Sequence, residues 1–280
     1  MADIIERLRA VGVEPPNDEA KINYQALPAG SVRDVVDETR PADNPNTSVS
    51  CLMVTRGDIS VLRYSLECYA RQSWLHRELV LVTDADRSAE VEAFVATSAA
   101  PNVRVFGIGP GLTLGDLRNI TVARARGEVL MQWDDDDLSD PRRVELAIQV
   151  LQHSNAAAAY LKRWLIWWPA RGLAAISYHR LWEGSGAIRR EHMRTYPAMA
   201  SREDYMHRRH LSDHHPVAWI DAPLQYVYAV TGRNTYQSSH FEALLAQSPC
   251  VFEGDDYAAL IALLALRMPI LAYETALLAR

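Results

Sequence analysis

From residue 48 onward, short apolar runs alternate with amphipathic stretches. SVSCLMVT (48–55), ELVLVTD (78–84), VRVFGI (103–108) and EVLMQW (128–133) are compact and apolar and read as buried strands. Between the first two, Val61, Leu62, Leu66 and Tyr69 share one helical face behind a capping Asp58 or Ser60. SAEVEAFVATSA (88–99) predicts a second helix. Thr113 and Asp116 form a Thr-x-x-Asp capping box for a third, running through Arg126, and Pro141 suits the first turn of a fourth. Strands alternating with helices pair in parallel through crossovers. The expected class is therefore α/β, with a Rossmann-like, mostly parallel sheet flanked by helices.

The flanks read differently. Residues 1–47 look like an appendage: Ile4, Ile5 and Leu8 mark a short helix, and the segment ends in a linker-like PADNPNTS. Beyond residue 150 the alternation breaks down into a mixed half. AAAYLKRWLIWW is β-like and aromatic, with Trp164, Trp167 and Trp168 favoured as core over contact with an apolar acceptor. SREDYMHRRH (201–210) begins a helix, AWID and QYVYAV read as strands, and residues 243–280 form a helical tail. No internal repeat is present.

Composition narrows the function. With 29 basic against 35 acidic residues and a net charge of −6, the chain is a poor candidate for wrapping nucleic acid. Its three cysteines, Cys51, Cys68 and Cys250, are scattered, which suggests reduced thiols and a cytoplasmic protein. The N-terminus lacks the apolar region of a signal peptide. The apolar stretch from Tyr257 to Ala272 is broken by Arg267 and Pro269, so no transmembrane segment is expected, although peripheral membrane contact fits an amphipathic tail.

Ligands of such sheets bind beyond the carboxyl ends of the strands. Three strands end there in polar groups: Thr55-Arg56-Gly57-Asp58, Asp84-Ala85-Asp86 and Asp134 to Asp137. The last is the sharpest, because an apolar strand runs straight into four carboxylates in MQWDDDDLSDP. Like charges this close disfavour one another's ionisation. A hard divalent cation resolves the conflict by taking oxygen ligands and can neutralise a diphosphate leaving group. The bland reading is a solvated acidic loop before the Pro141 helix. The two neighbouring polar strand ends favour a site.

The order SVSCLMVTRGD, LVLVTDAD and LGDLRNITVARARGEVLMQWDDDDLSDP resembles the nucleotide-binding half of family 2 glycosyltransferases of the GT-A fold. The resemblance covers residues 48–242 and is strongest over 48–150. It implies a nucleotide-binding half (48–150) and an acceptor half (151–242). It also implies an inverting, non-processive transferase that uses Mn2+ or Mg2+ and a nucleotide-diphosphate sugar, UDP-linked by family frequency. By this resemblance Thr55, Arg56, Asp84, Asp86, Arg118 and Asn119 contact the nucleotide. Its Asp-x-Asp motif maps onto Asp134, Asp135 and Asp136. Asp134 then meets the ribose or sugar and Asp136 the metal, although four consecutive aspartates admit a neighbouring register. Asp204 of the Glu203-Asp204 pair is the implied general base. Trp182, Glu183, Gly184 and Ser185 line the acceptor side. From GRNTYQSSHF (232–241), Arg233 and Asn234 reach phosphate and His240 the metal. No Gln-x-x-Arg-Trp motif of polymerising members follows the Glu-Asp pair, which implies single transfer.

Two alternatives compete. A sugar nucleotidyltransferase would carry a Gly-rich, basic loop after the first strand, but TRGDIS has one glycine and no lysine. A non-catalytic nucleotide-sugar-binding module would be expected to lose the acidic cluster or the base, and both are present. The acceptor class stays open: a glycan, a lipid-linked saccharide, a peptide or a small molecule.

Overall fold

A computed structural model of the protein describes residues 2–15, 23–27, 35–37 and 44–279. The described chain opens with α1 (Ala2–Ala10), β1 (Asn23–Leu27) and β2 (Val35–Asp37). The predicted alternation follows: β3 (Val49–Thr55), α2 (Ile59–Ala70), β4 (Arg77–Asp84), α3 (Ser88–Thr97), β5 (Val103–Ile108), α4 (Leu114–Arg124) and β6 (Val129–Gln132). After the aspartates come β7 (Leu138–Ser139), α5 (Arg143–His153), β8 (Ala158–Leu161), β9 (Leu165–Trp168), β10 (Leu173–Ile176) and β11 (Ala187–Arg189). The chain ends with α6 (Glu203–His214), β12 (Val217–Asp221), β13 (Tyr226–Ala229), α7 (Ser238–Ala246), β14 (Cys250–Glu253), α8 (Gly254–Ala265) and α9 (Ile270–Leu278).

Among the described residues the strands form two sheets. The larger runs β2-β1-β12-β8-β11-β6-β3-β4-β5, and β6, β3, β4 and β5 are parallel, as strand–helix alternation requires. The second runs β14-β10-β9-β13-β7. It carries the aromatic run predicted as core: Trp164, Trp167 and Trp168 are all buried. β14 pairs with β10 and was not legible as a strand in the helical tail.

The local signals hold. Asp58 caps α2 by accepting from the Ser60 amide, and Thr113 and Asp116 close the capping box of α4. The N-terminal segment is integrated where it is described. Ile4 and Leu8 of α1 join the main core, and Arg7 donates to the Val251 carbonyl at 2.8 Å and pairs with Asp256. β1 lies antiparallel to β12, with Asn23 opposite Asp221. Part of the PADNPNTS stretch, residues 41–43, lies outside the described residues. All three cysteines are free and buried.

The two halves meet in close backbone contact at Gly115, in the first turn of α4. Its amide donates to Met199 O at 3.0 Å, and a Cβ there would lie 1.9 Å from Pro197 O. Alanine normally stabilises a helix by about 1 kcal/mol over glycine. Here the sign reverses: Gly115→Ala should destabilise the protein by about 1–3 kcal/mol through overpacking against backbone. Chemical denaturation should show a lowered midpoint, and a raised one would contradict the close approach.

Candidate active site

Four aspartates leave β6 into a loop that β7 stitches to β13, and the fold gives each a different environment. Asp137 is buried; it accepts from the Ala229 amide at 2.8 Å and from the Tyr226 hydroxyl. It ties the loop to β13 and offers nothing outward. Asp135 accepts from the Thr55 hydroxyl at the end of β3, so two strand ends are joined through carboxylate and hydroxyl. Asp134 accepts from Gln132 Nε2 at 2.7 Å and from Tyr226 at 3.0 Å, while Ser65 donates to its backbone carbonyl at 2.7 Å. The Asp136 carboxylate accepts from Asn234 Nδ2 at 3.0 Å.

Beneath the cluster lies an apolar floor. Trp164 stacks on Trp182 at 4.3 Å and on Tyr226 at 5.1 Å, with Tyr228 tilted against it at 4.6 Å. Burial pushes the Asp135 carboxyl up to about 6, and Asp134 adds repulsion. Burial likewise raises Asp136, with Asp137 and Asp135 adding to it. Arg143 braces the loop from behind. Its guanidinium lies between the rings of Trp133 (4.9 Å) and Tyr226 (4.5 Å) and donates to Gln132 O at 2.7 Å and Gly184 O at 3.0 Å. Gly184 backs directly onto the cluster: a Cβ there would meet Asp134 Oδ2 at 3.0 Å.

The Glu203-Asp204 pair starts α6, and Arg118 on α4 links it to the cluster. Arg118 Nε donates to Glu203 Oε1 at 2.7 Å, and Nη2 lies 3.8 Å from Asp134 Oδ1. The other oxygen of Glu203, Oε2, is buried and has no hydrogen-bond partner. Asp204 is half-buried, and burial pushes its carboxyl up to about 6 against the pull of Arg118. Arg202, just ahead, holds φ at +66°, an uncommon conformation for a side chain of its size. Such strain collects at functional sites. A hollow beside Asp204 is lined by Gln132, Tyr160, Glu183, Tyr196, His207 and Arg208, among others.

The 231–237 loop crosses above. Arg233 pairs with Asp58 at 2.6 Å, and Asn234 holds both Asp136 and the Ala229 carbonyl, the latter at 2.9 Å. Strand ends β3 and β6, Arg118, the Glu203-Asp204 pair and this loop therefore surround one mouth. Asp84 and Asp86 are exposed at the end of β4, and neither carboxylate is paired among the described residues; Arg56 is exposed at the end of β3.

Other expected contacts are taken up by the fold. Both ends of the Asn119 amide bind Tyr196 backbone, at 2.8 and 2.9 Å. Trp182 is buried against Trp164, leaving no open ring face, and Ser185 is bound to Trp182 O and the Leu161 amide. Glu183 pairs with Arg180 and Arg208. His240 stacks on Tyr236 at 4.3 Å, and burial and then Arg180 lower its pKa. Among the described residues no three His, Cys, Asp or Glu side chains group as a closed metal site, so His240 is not gathered with the aspartates. Tyr226, Tyr228 and Arg143 were missed as site residues. The signal for the tyrosines was their i, i+2 spacing in QYVYAV, which puts both on one strand face.

Residues 50–177 match the family model described as glycosyl transferase family 2. The chain carries a family 2 glycosyltransferase domain. No curated protein matches it. Among solved structures it resembles S. aureus TarS, residues 1–349, at 13% identity and a TM-score of 0.53, over 71% of this chain and 70% of that one. The TarS complex with UDP-GlcNAc matches at 15% identity and 0.56, over 69% and 60%. The UDP complex matches at 14% and 0.55, over 71% and 70%. The chain spans 42% of a longer TarS structure. This likeness shows the GT-A fold. No helix among the described residues is long and apolar enough to cross a membrane.

Arg118 is the joint between the aspartate loop and the Glu203-Asp204 pair. Removing one member of a buried ion pair typically costs about 3–5 kcal/mol. Arg118→Met should destabilise the protein by that order in urea unfolding. Adding Glu203→Gln should recover a large part, since the buried charge is then gone. If the double variant is as unstable as the single, Arg118 acts through something other than Glu203.

Proposed function

We propose that the protein transfers a sugar from a UDP-sugar to an acceptor hydroxyl with inversion of the anomeric centre, Asp204 acting as general base. The observation that carries this reading is the single mouth shared by the strand-end aspartates and the Glu203-Asp204 pair, joined through Arg118. The similar TarS complexes with UDP-GlcNAc and with UDP favour this donor class.

The donor set fits a hard cation. Asp134 and Asp136 stand two residues apart in the same loop, Asp136 with Asn234 as its one side-chain donor among the described residues, and Mg2+ commonly takes one or two carboxylates and completes its shell with substrate phosphate. Mn2+ or Mg2+ held there would neutralise charge on the departing diphosphate. Thr55 and Arg56 flank the nucleotide, exposed Asp84 and Asp86 offer acceptors to the base, and Arg233 reaches over from the loop. In the transfer, the acceptor oxygen forms a bond to the anomeric carbon as the bond to the diphosphate oxygen breaks. The nucleoside diphosphate leaves with that electron pair, and the hydroxyl proton passes to Asp204. Arg118 keeps Glu203 and Asp204 in place and helps hold Asp204 ionised.

Calorimetry with UDP tests the donor half. UDP should bind with Mn2+ present and lose at least about tenfold in affinity, about 1.4 kcal/mol, without metal or in Asp136→Ala. Metal-independent binding that Asp136→Ala leaves unchanged would remove the cation from the reading, and no binding of any nucleoside diphosphate would remove the donor.

The base is tested separately. Asp204→Asn should keep UDP binding and lose transfer by about 100-fold or more. Because the base works ionised and burial has raised its pKa, kcat/KM should fall as pH drops through about 6. An activity flat to pH 5 would exclude Asp204 as base.

A further inference from the structure

Beyond the base, the charge of the surface reverses. Helix α6 and the segments on either side of it bring His192, Arg194, His210 and His214 into electrostatic range of His215, and His210 into range of His207. The rings of His210 and His214 stack at 4.2 Å, one helical turn apart, and those of His192 and His215 approach to 4.5 Å. An open cleft on this side is lined by Arg194, Thr195, Pro197, Met206, His207 and His210. His207 also lines the hollow that reaches Asp204 and Gln132, so the cleft and the hollow share a wall.

His207 is the fixed part of that wall. It is buried, its Nε2 accepts from the Arg194 amide at 3.2 Å, and its ring lies 4.6 Å from Tyr196. The bond leaves the proton on Nδ1 of a neutral ring, in keeping with burial, which lowers its pKa to about 4. Arg194 is exposed, and its guanidinium makes no ion pair among the described residues. The nearby acids do not answer it: Asp213 faces Arg209 at 3.7 Å, and Glu191 is exposed on the preceding turn. Around His215 the neighbours are all basic, namely His192, Arg194, His214 and His210. An exposed guanidinium beside several imidazoles, with no carboxylate partner among the described residues, offers donors to an anion.

We propose that this cleft binds an anionic group of the acceptor, a phosphate ester or a carboxylate, and so seats the acceptor hydroxyl towards Asp204. The acceptor assignment rests on the glycosyltransferase reading; the anion site does not. The donor diphosphate is served elsewhere, at the strand ends, so a second anion site beside the base fits the other substrate.

The test is histidine-resolved NMR of the full chain at pH 6. Saturating UDP and Mg2+ occupy the donor site, and inorganic phosphate and acetate are titrated in separate arms. The expected result is saturable movement of the His192, His210, His214 and His215 ring signals, with affinity at least about tenfold weaker in Arg194→Gln. Saturation by phosphate alone assigns a phosphate ester, and saturation by acetate assigns a carboxylate. If neither anion saturates, or Arg194→Gln leaves both affinities unchanged, the proposal is overturned. UDP binding is read in the same samples: its failure would sink the transferase reading while leaving the anion result to stand or fall alone.

Discussion

Four carboxylates in a row at the end of a buried strand cannot all face the same low-dielectric mouth, and much of the site follows from how the fold separates them. Asp137 turns inward to the Tyr226 hydroxyl and the Ala229 amide. Asp135 is claimed by Thr55. Asp134 shares Gln132 and Tyr226 and lies near Arg118. Asp136 is held by Asn234 of the crossing loop. Repulsion is thus reduced by spending one aspartate on architecture and one on joining two strand ends. Of the two carboxylates the motif assigns to ligands, Asp136 accepts from one side-chain donor, while Asp134 keeps Gln132, Tyr226 and the nearby Arg118. Strand β13 exists where it does partly for this reason, since its tyrosine and its amide neutralise Asp137.

Arg118 extends the same electrostatics across the mouth. A guanidinium this buried is tolerated because carboxylates surround it, and Glu203 in turn is tolerated because Arg118 is there. The aspartate cluster and the Glu203-Asp204 pair are therefore not independent. Adding charge near Asp134 alters the field at Arg118, and through it the environment of Asp204. The left-handed Arg202 fits this picture. It sets the direction in which α6 departs, and with it where Asp204 points, so local backbone strain of about 1–3 kcal/mol is offset by the ion pairing that follows.

The parallel half was legible because its signals are local. Apolar runs, a capping aspartate at Asp58 and a capping box at Thr113 each specify an element without help from distant residues. Three polar strand ends could be read from the same pattern. What could not be read was occupancy. Asn119, Trp182 and Ser185 sit at positions where the resemblance implies ligand contacts, yet Tyr196 backbone, Trp164 and Leu161 already engage them. Those partners lie 77, 18 and 24 residues away in the chain and are supplied by the mixed half, whose topology no periodicity announced. Which aspartate turns inward was closed to sequence for the same reason, because Tyr226 and the Ala229 amide engage Asp137 from the far half. The N-terminal helix showed its apolar face in sequence, but its docking beside Val251 and Asp256 depends on the far end of the chain.

The distribution of charge gives the site a direction. Net charge says only that the chain is acidic. Locally, carboxylates concentrate where β3, β4 and β6 end, while α6 and the segment before it gather imidazoles and Arg194, which has no ion pair among the described residues. Asp204 stands between these fields. An acid there is discouraged from ionising by burial and by Glu203, and encouraged by Arg118. In the proposed reaction a cation on the aspartates and an anion in the basic cleft would each quiet one field. A base poised between two compensated fields can then change its protonation state at a cost near that in solution, which suits a group that must accept a proton and release it in every turnover.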